Sequence, residues 1–412
     1  MSSSQAQPSF TPSFSGRNAS KPYSDSGIYD QDRVSSDGGV VVLADGHGTR
    51  GRDCAEFLAG HIREEMTRRL SLTKSAESST ENVDPAVLEK SLVGVFHDAN
   101  EALRNHLCAV LNGVKDDNGV PRAYKGGSTI SGGAVVTAIV CGTYEQRPFL
   151  TVANVGDAEA YIYSRKDDGT LESFKCTTDH GPDSRAEQLR LKTSPVQCMF
   201  TTTQSDFYLP INDADGNPID YAFAEGKALY YALLAVHATE DPVKKEECVK
   251  QWREANKVFK AHPRHKEYEK LMWSTKETMA NRDCPSAYLV GDCSASEYGQ
   301  VTRLQTARAL GDFAQQQVGV IPTPDTTTIL LDQLAPAKKR VVFVASDGVH
   351  DCFTKQELAE LVLSEKTDDE LVAIFVERSK QLFGGRQHDD ISFARSAVPE
   401  CVAPSALPTP AH

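Results

Sequence analysis

Residues Val40-Val41-Val42-Leu43-Ala44 form an unbroken apolar run that stops at Asp45-Gly46-His47-Gly48. A strand with one face in water alternates apolar and polar residues. A short continuous run closed by a turn reads instead as a strand covered on both faces, at the centre of a sheet. The pattern recurs near the other end of the chain. Arg340–Ala345 is a second strand-like run and leads into Ser346-Asp347-Gly348, and Asp389 stands just ahead of a last strand expected over Ile391–Arg395. The fold must therefore bury strands on both sides and deliver carboxylates at their ends.

The covering layers are expected from helical periodicity. Cys54, Leu58, Ile62 and Met66 recur at a spacing near 3.6, and Leu88, Leu92, Phe96 and Leu103 do so over Pro85–Leu107, with Pro85 acceptable in a first turn. Polar helices are expected at Lys355–Leu363 and Asp368–Phe383, and β-rich runs at Ser128–Val140, Phe149–Val155, Ala160–Tyr163 and Thr327–Leu331. Residues 1–26, rich in Ser, Pro and Gly, read as a loose arm, and 398–412 as a flexible tail. The remainder, 27–397, reads as one domain interrupted at about 192–300 by an insertion with a charged helical stretch around Pro242–Met279 and no catalytic pattern. That insertion is a place where a protein partner could bind.

The formal charge of −13 gives no advantage on a phosphate backbone, so nucleic acid is not an expected partner. No apolar run is long enough to span a bilayer, and MSSSQAQPSF has no apolar signal core, so no membrane association is expected. The ten cysteines include no CxxC pair and are read as reduced thiols, with a cytoplasmic or nuclear location expected. A single Asp-Gly at a strand end is ordinarily just a turn. Three aspartates at strand ends, one beside a histidine, suit a hard cation such as Mg²⁺ or Mn²⁺, which takes oxygen ligands and retains waters. Gly46 and Gly348, lacking a Cβ, would let backbone come close to an ion.

Read in order, eight segments resemble the metal-dependent protein phosphatase family (PPM, type 2C). Tyr29-Asp30-Gln31-Asp32 is similar to its early acidic segment, Asp45-Gly46-His47-Gly48 to its DGHG motif and Gly127-Ser128-Thr129 to its G[ST]T opening. Asn154-Val155-Gly156-Asp157 resembles its GD turn, and Asp179-His180-Gly181-Pro182 with Glu187 and Arg190 resembles its DHKP…E…R segment. Arg308-Ala309-Leu310-Gly311-Asp312, Ser346-Asp347-Gly348-Val349-His350-Asp351 and Asp389-Asp390-Ile391-Ser392 resemble its RALGD, SDGxxD and closing DN motifs. The resemblance implies an α+β fold, a layered α-β-β-α arrangement around a central antiparallel β-sandwich. It implies a protein serine/threonine phosphatase acting on phosphoproteins.

The resemblance also implies the site. Asp45, Asp347 and Asp389 would hold a first Mg²⁺ or Mn²⁺, and Asp45 with the Gly46 carbonyl a second. Asp157 and Asp351, shared with Asp347, would hold a weaker third. Gln31 stands where an acidic residue is usual, Asp32 would orient waters, and His47 would be the general acid. Asp179-His180 and Arg308–Asp312 would support the site, or serve only as scaffolding. The family arginine that binds substrate phosphate falls near Gly27, leaving Arg17, Arg33 and Arg50 as substitutes. Ala158, Glu159, His350 and Asp390 also depart from the pattern. The competing readings are a catalytically weak or inactive pseudophosphatase that binds proteins, and a cysteine-dependent phosphatase, for which no phosphate loop is present. No Walker-type loop supports an NTPase.

Overall fold

The computed structural model describes residues 13–19, 30–73, 84–125, 129–145, 147–181, 184–191, 196–201, 206–210, 242–261, 286–292, 301–317, 319–383, 385, 387 and 389–398. In chain order the first elements are β1 (Ser15–Ala19), β2 (Arg33–Asp37), β3 (Val40–His47), α1 (Gly51–Thr73), α2 (Pro85–Val110), β4 (Val114–Lys115) and β5 (Pro121–Arg122). There follow β6 (Gly133–Tyr144), β7 (Arg147–Val155), β8 (Glu159–Arg165), β9 (Leu171–Lys175), α3 (Arg185–Leu191), β10 (Val196–Thr201) and β11 (Asp206–Pro210). Next come α4 (Pro242–Ala261), β12 (Ser286–Asp292), β13 (Val301–Leu304), β14 (Leu310–Gly311), α5 (Phe313–Gln316) and β15 (Asp325–Leu330). The chain closes with β16 (Lys339–Ala345), α6 (Asp347–His350), α7 (Lys355–Val362), α8 (Asp368–Leu382) and β17 (Ile391–Val398).

Two antiparallel sheets, ordered β15-β7-β6-β3-β2 with β14 on β6, and β1-β17-β16-β8-β9, are sandwiched between helices. The apolar run in β3 explains the layering. Val40, Val42 and Ala44 pack outward under Cys54, Leu58 and Ile62 of α1 and Phe96 of α2. Val41 and Leu43 point inward against Ile162 of β8 and Val342 and Val344 of β16. The outer face of the second sheet repeats the arrangement, with Tyr163, Phe343 and Phe393 under Leu358 of α7 and Leu371 and Phe375 of α8. Phe343 and Phe393 stack at 5.6 Å, and Phe375 meets Phe393 edge-on at 5.5 Å. Each such fully buried ring contributes on the order of 2–3 kcal/mol. The result is the expected α-β-β-α arrangement, with three cores between four layers.

The N-terminal arm is corrected. Ser15–Ala19 is a strand, pairing antiparallel with Ile391–Arg395 of β17. Its sequence, SGRNA, shows no alternation because it is an edge strand with little side-chain burial, held by its ladder. At the other end β17 runs to Val398, paired with Arg340, so the first residue assigned to the tail belongs to the last strand. The strand expected from Ser128 begins at Gly133. Within the expected insertion, β10, β11 and β12 with β13 form a separate four-stranded sheet. The charged helix covers Pro242–Ala261, and its expected continuation to Met279 lies outside the described residues. Among the described residues no helix is long and apolar enough to cross a membrane.

Candidate metal centre and active site

One end of the sandwich gathers the acidic segments. Asp45 lies near the end of β3 in the first sheet, Asp347 follows β16 and opens α6, and Asp389 precedes β17 in the second. Asp157 sits in the turn between β7 and β8. Burial lifts the Asp45 carboxyl well above the usual carboxylate range, and Asp32, Asp347, Asp389 and Asp157 add to the shift by their charge. Asp32, 2% exposed, is pushed up to about 8, first by burial and then by Asp390 and Asp389. Four carboxylates from separate segments thus bear on Asp45. Asp351 lies one helical turn beyond Asp347, its N–H donating to the Asp347 carbonyl at 2.8 Å.

Among the described residues no group of three or more Asp, Glu, His or Cys side chains is placed so that it could hold a metal ion as it stands. The residues nonetheless fit a hard cation. All the donors are oxygens, and the burial among like charges that raises Asp45 and Asp32 is what a dication would offset. Asp32 Oδ2 is buried without a hydrogen-bond partner, a place for a water on such an ion. A Cβ on Gly46 would fall 2.3 Å from the Gly51 carbonyl oxygen, and one on Gly348 2.0 Å from that of Asp390, so both loops depend on glycine for close approach.

Gln31 ties these loops together. Its backbone N–H donates to Asp390 Oδ2 at 2.8 Å and its side-chain amide to the Gly48 carbonyl at 2.7 Å. The departures Gln31 and Asp390 are therefore joined to each other. The edge strand contributes too: Asn18 donates to the Asp32 carbonyl at 3.3 Å and accepts from Ser392 at 3.1 Å. Ser346 and Ser392, both buried, lock the ends of β16 and β17, the Ser392 N–H donating to Ser346 Oγ at 3.1 Å.

His47 faces Asp312, with Nε2 2.5 Å from Oδ2. Burial lowers the imidazole's basicity, and Asp312, with Asp157 and Asp347 behind it, more than reverses this, so its pKa is raised. Asp312 is 4% exposed and left-handed at φ 44°. Its N–H donates to the Gly132 carbonyl at 3.0 Å, and Gly311 before it donates to Asn100 Oδ1 at 2.9 Å. This carboxylate is the functional group that sequence reasoning left as general support. The only cue was its place after Leu310-Gly311, since its partner lies 265 positions away.

The three arginines separate. Arg17 is bound to Asp369 of α8 at 2.7 Å, on the helix-covered side. Arg33 donates to the carbonyls of Asp30 and Asp32 at 3.0 and 2.6 Å and pairs with Asp30, bracing the acidic segment. Arg50 lies three residues beyond His47, its N–H on the Ser131 carbonyl at 3.1 Å, its half-exposed side chain touching Asp53 at 3.2 Å. Glu159 and His350, the other departures, face each other at 3.6 Å, with Lys175 on Glu159 at 2.6 Å. Gly127, Ser128, Pro182 and His388 lie outside the described residues. Beside the site Cys54 is fully buried, and burial pushes its thiol far up, which removes it as a nucleophile.

The family model for protein phosphatase 2C matches residues 12–204 and 290–381, passing over a stretch inside the expected insertion. The probable protein phosphatase 2C 73 of Oryza sativa subsp. japonica is 28% identical over 193 residues. That match spans 44% of this chain and 43% of the relative, less than half the length of either. The crystal structure of serine-threonine phosphatase 2C from Toxoplasma gondii superposes with a TM-score of 0.53 at 14% identity. It covers 95% of this chain and 100% of that one, a likeness of fold.

Proposed function

The chain belongs to the protein phosphatase 2C family, and we propose that it hydrolyses phosphoserine and phosphothreonine esters of proteins with divalent cations held at the Asp45 end of the sandwich. The observation that carries this reading is the convergence of Asp32, Asp157, Asp347 and Asp389 on Asp45. Asp45, Asp347 and Asp389 would hold one cation. Asp45 and the Gly46 carbonyl would hold a second, with Asp157, Asp351 and Asp347 at a weaker third. When bound, Mg²⁺ or Mn²⁺ supplies a water acidic enough to attack phosphorus near neutral pH and offsets charge on the phosphate oxygens.

The chain's own groups do the rest. Asp312 takes Nε2 of His47, leaving Nδ1 to hand its proton to the serine or threonine oxygen as the P–O bond breaks. Asp312 stabilises the protonated ring that this needs. Arg50, three residues beyond His47, is the arginine we assign to the substrate phosphate, because Arg17 pairs on the α8 side and Arg33 braces Asp30 and Asp32, while the partner of Arg50, Asp53, is three residues along its own chain and half-exposed. Asp32 orients water, and Gln31 fixes the loop from which His47 projects.

The test is phosphate release from a phosphopeptide by wild type and Asp347→Ala, each with Mg²⁺, Mn²⁺ or EDTA. Activity is expected only in wild type with metal, and equal turnover in all samples would refute the reading. The commitment of the Gln31 amide to Gly48, in place of an acid, favours one second reading: a phosphoprotein-binding module. Phosphopeptide binding by wild type without phosphate release would decide for it.

A further inference from the structure

The Gly156–Asp157 turn is gripped from one side by His180, which is 1% exposed. The Gly156 N–H donates to His180 Nδ1 at 3.0 Å, and the His180 N–H donates back to the Gly156 carbonyl at 3.1 Å. An Nδ1 that accepts from a backbone amide carries no proton, so the ring proton is on Nε2. Nε2 lies 3.1 Å from Asp325 Oδ2, an ion-pair distance without hydrogen-bond alignment, so Asp325 acts on the ring by its charge. Asp325 Oδ1 accepts from Arg308 at 2.7 Å, and Arg308 also reaches Glu187 Oε1 at 2.6 Å. Glu187, 1% exposed, is held in turn by Arg190 at 2.7 Å. The His180 carbonyl accepts from the Ala307 N–H at 2.7 Å, which fixes the ring's backbone to the same relay.

The turn itself has no slack. Gly156 has φ 98°, and a Cβ there would fall 2.1 Å from Val135 Cγ1. Its orientation is thus set by what grips its amide.

We propose that His180 is a positioning residue: its Nδ1 sets the Gly156–Asp157 turn and so the aim of Asp157 at the Asp45 pocket, while Asp325 and Arg308 hold the ring in the tautomer this requires. The proposal rests on the reading of Asp157 as a cation-facing carboxylate. It extends that reading to a residue that touches neither cation nor substrate.

Two variants separate the two ends of the ring. His180→Asn keeps an acceptor oxygen at the Nδ1 position and gives up Asp325. His180→Gln reaches Asp325 and gives up Gly156. Three readouts apply to the full chain: deuterium exchange of the peptide spanning residues 153–158 without metal, Mn²⁺ binding followed by paramagnetic resonance, and Mn²⁺ dependence of p-nitrophenyl phosphate turnover. His180→Gln is expected to lose Gly156 protection and to need about tenfold more Mn²⁺, the usual scale for a group behind a metal ligand. His180→Asn is expected to stay within about threefold of wild type.

Equal exchange and equal Mn²⁺ binding in the two variants would overturn the proposal, as would a wild type that binds no Mn²⁺. If wild type binds Mn²⁺ but turns over nothing, the phosphatase reading fails, and the difference between the variants in exchange and binding still decides this one. If neither variant folds, Arg308→Lys loosens Asp325 from the far side. A shift of about threefold in Mn²⁺ binding supports the proposal, and no shift overturns it.

Discussion

The carboxylates reach the pocket by two different constructions. Asp45, Asp347 and Asp389 sit at the ends of strands buried on both faces, so their backbones are fixed by apolar layers above and below. Asp157 sits on a turn, and what fixes it is a polar relay through His180, Asp325, Arg308, Glu187 and Arg190. The first construction fails only if the sandwich fails. The second can be loosened by one side chain, and it touches α3 and the segment Thr306–Arg308, between which the insertion leaves and returns. Rigidly held carboxylates and an adjustable one therefore meet at Asp45, and the difference should be measurable.

The largest effect is expected on the strand-borne side. Asp45→Asn should lower kcat by about 10³-fold or more, because on the proposed reading one carboxylate serves two cations, while the thermal midpoint in EDTA rises: the substitution removes a buried acid whose ionisation is opposed by burial and by like charges. A stable fold with unchanged turnover would break the assignment of Asp45. Next comes Glu187→Gln on the turn-borne side. It leaves Arg308 and Arg190 sharing an uncharged partner and should cost about 3 kcal/mol by denaturant unfolding. A cost under about 1 kcal/mol would mean the relay is decoration.

Asp312→Asn should reduce kcat by about 10²-fold with little change in KM, since it disturbs the proton donor and not the binding of phosphate. A rise in KM alone would move Asp312 to substrate binding. The smallest effect concerns acid. The close contact of His180 Nε2 and the Arg308 guanidinium hold the Asp325 carboxyl down from 3.8 to about 2, against burial. Its contribution to stability is therefore present above pH 3.8 and is lost as pH falls through 2. Metal-free Asp325→Asn should lose less stability than wild type across that window, measured by urea midpoints. Parallel curves would show that Asp325 contributes nothing to holding the turn.

The same contrast explains what the sequence discloses. A strand buried twice must be apolar throughout, so Val40–Ala44 and the run of β16 announce themselves, and an aspartate straight after them is conspicuous. The helices over them announce themselves by period, and α2 differs from its periodicity only at its end, Val110 in place of Leu107. Polar contacts between distant segments leave no such trace. Nothing in Ser15–Ala19 alternates, so the strand that sends Asn18 to Asp32 was read as a loose arm. Nothing adjacent to Asp312 hints at His47, and nothing near His180 hints at Asp325. The choice among Arg17, Arg33 and Arg50 also needs the fold, because each guanidinium has a carboxylate partner and only its position separates them.

The short first strand has one more effect. By lying along β17 it occupies a row of backbone amides and carbonyls beside the residues ISFARSAV, five of the eight apolar. Its own outward side offers five residues, one a glycine and one an arginine clasped to Asp369, a poor template for a further chain. Trimming it away would bare a sticky flank, and the shortened protein should clump with copies of itself at concentrations where the whole one stays dispersed.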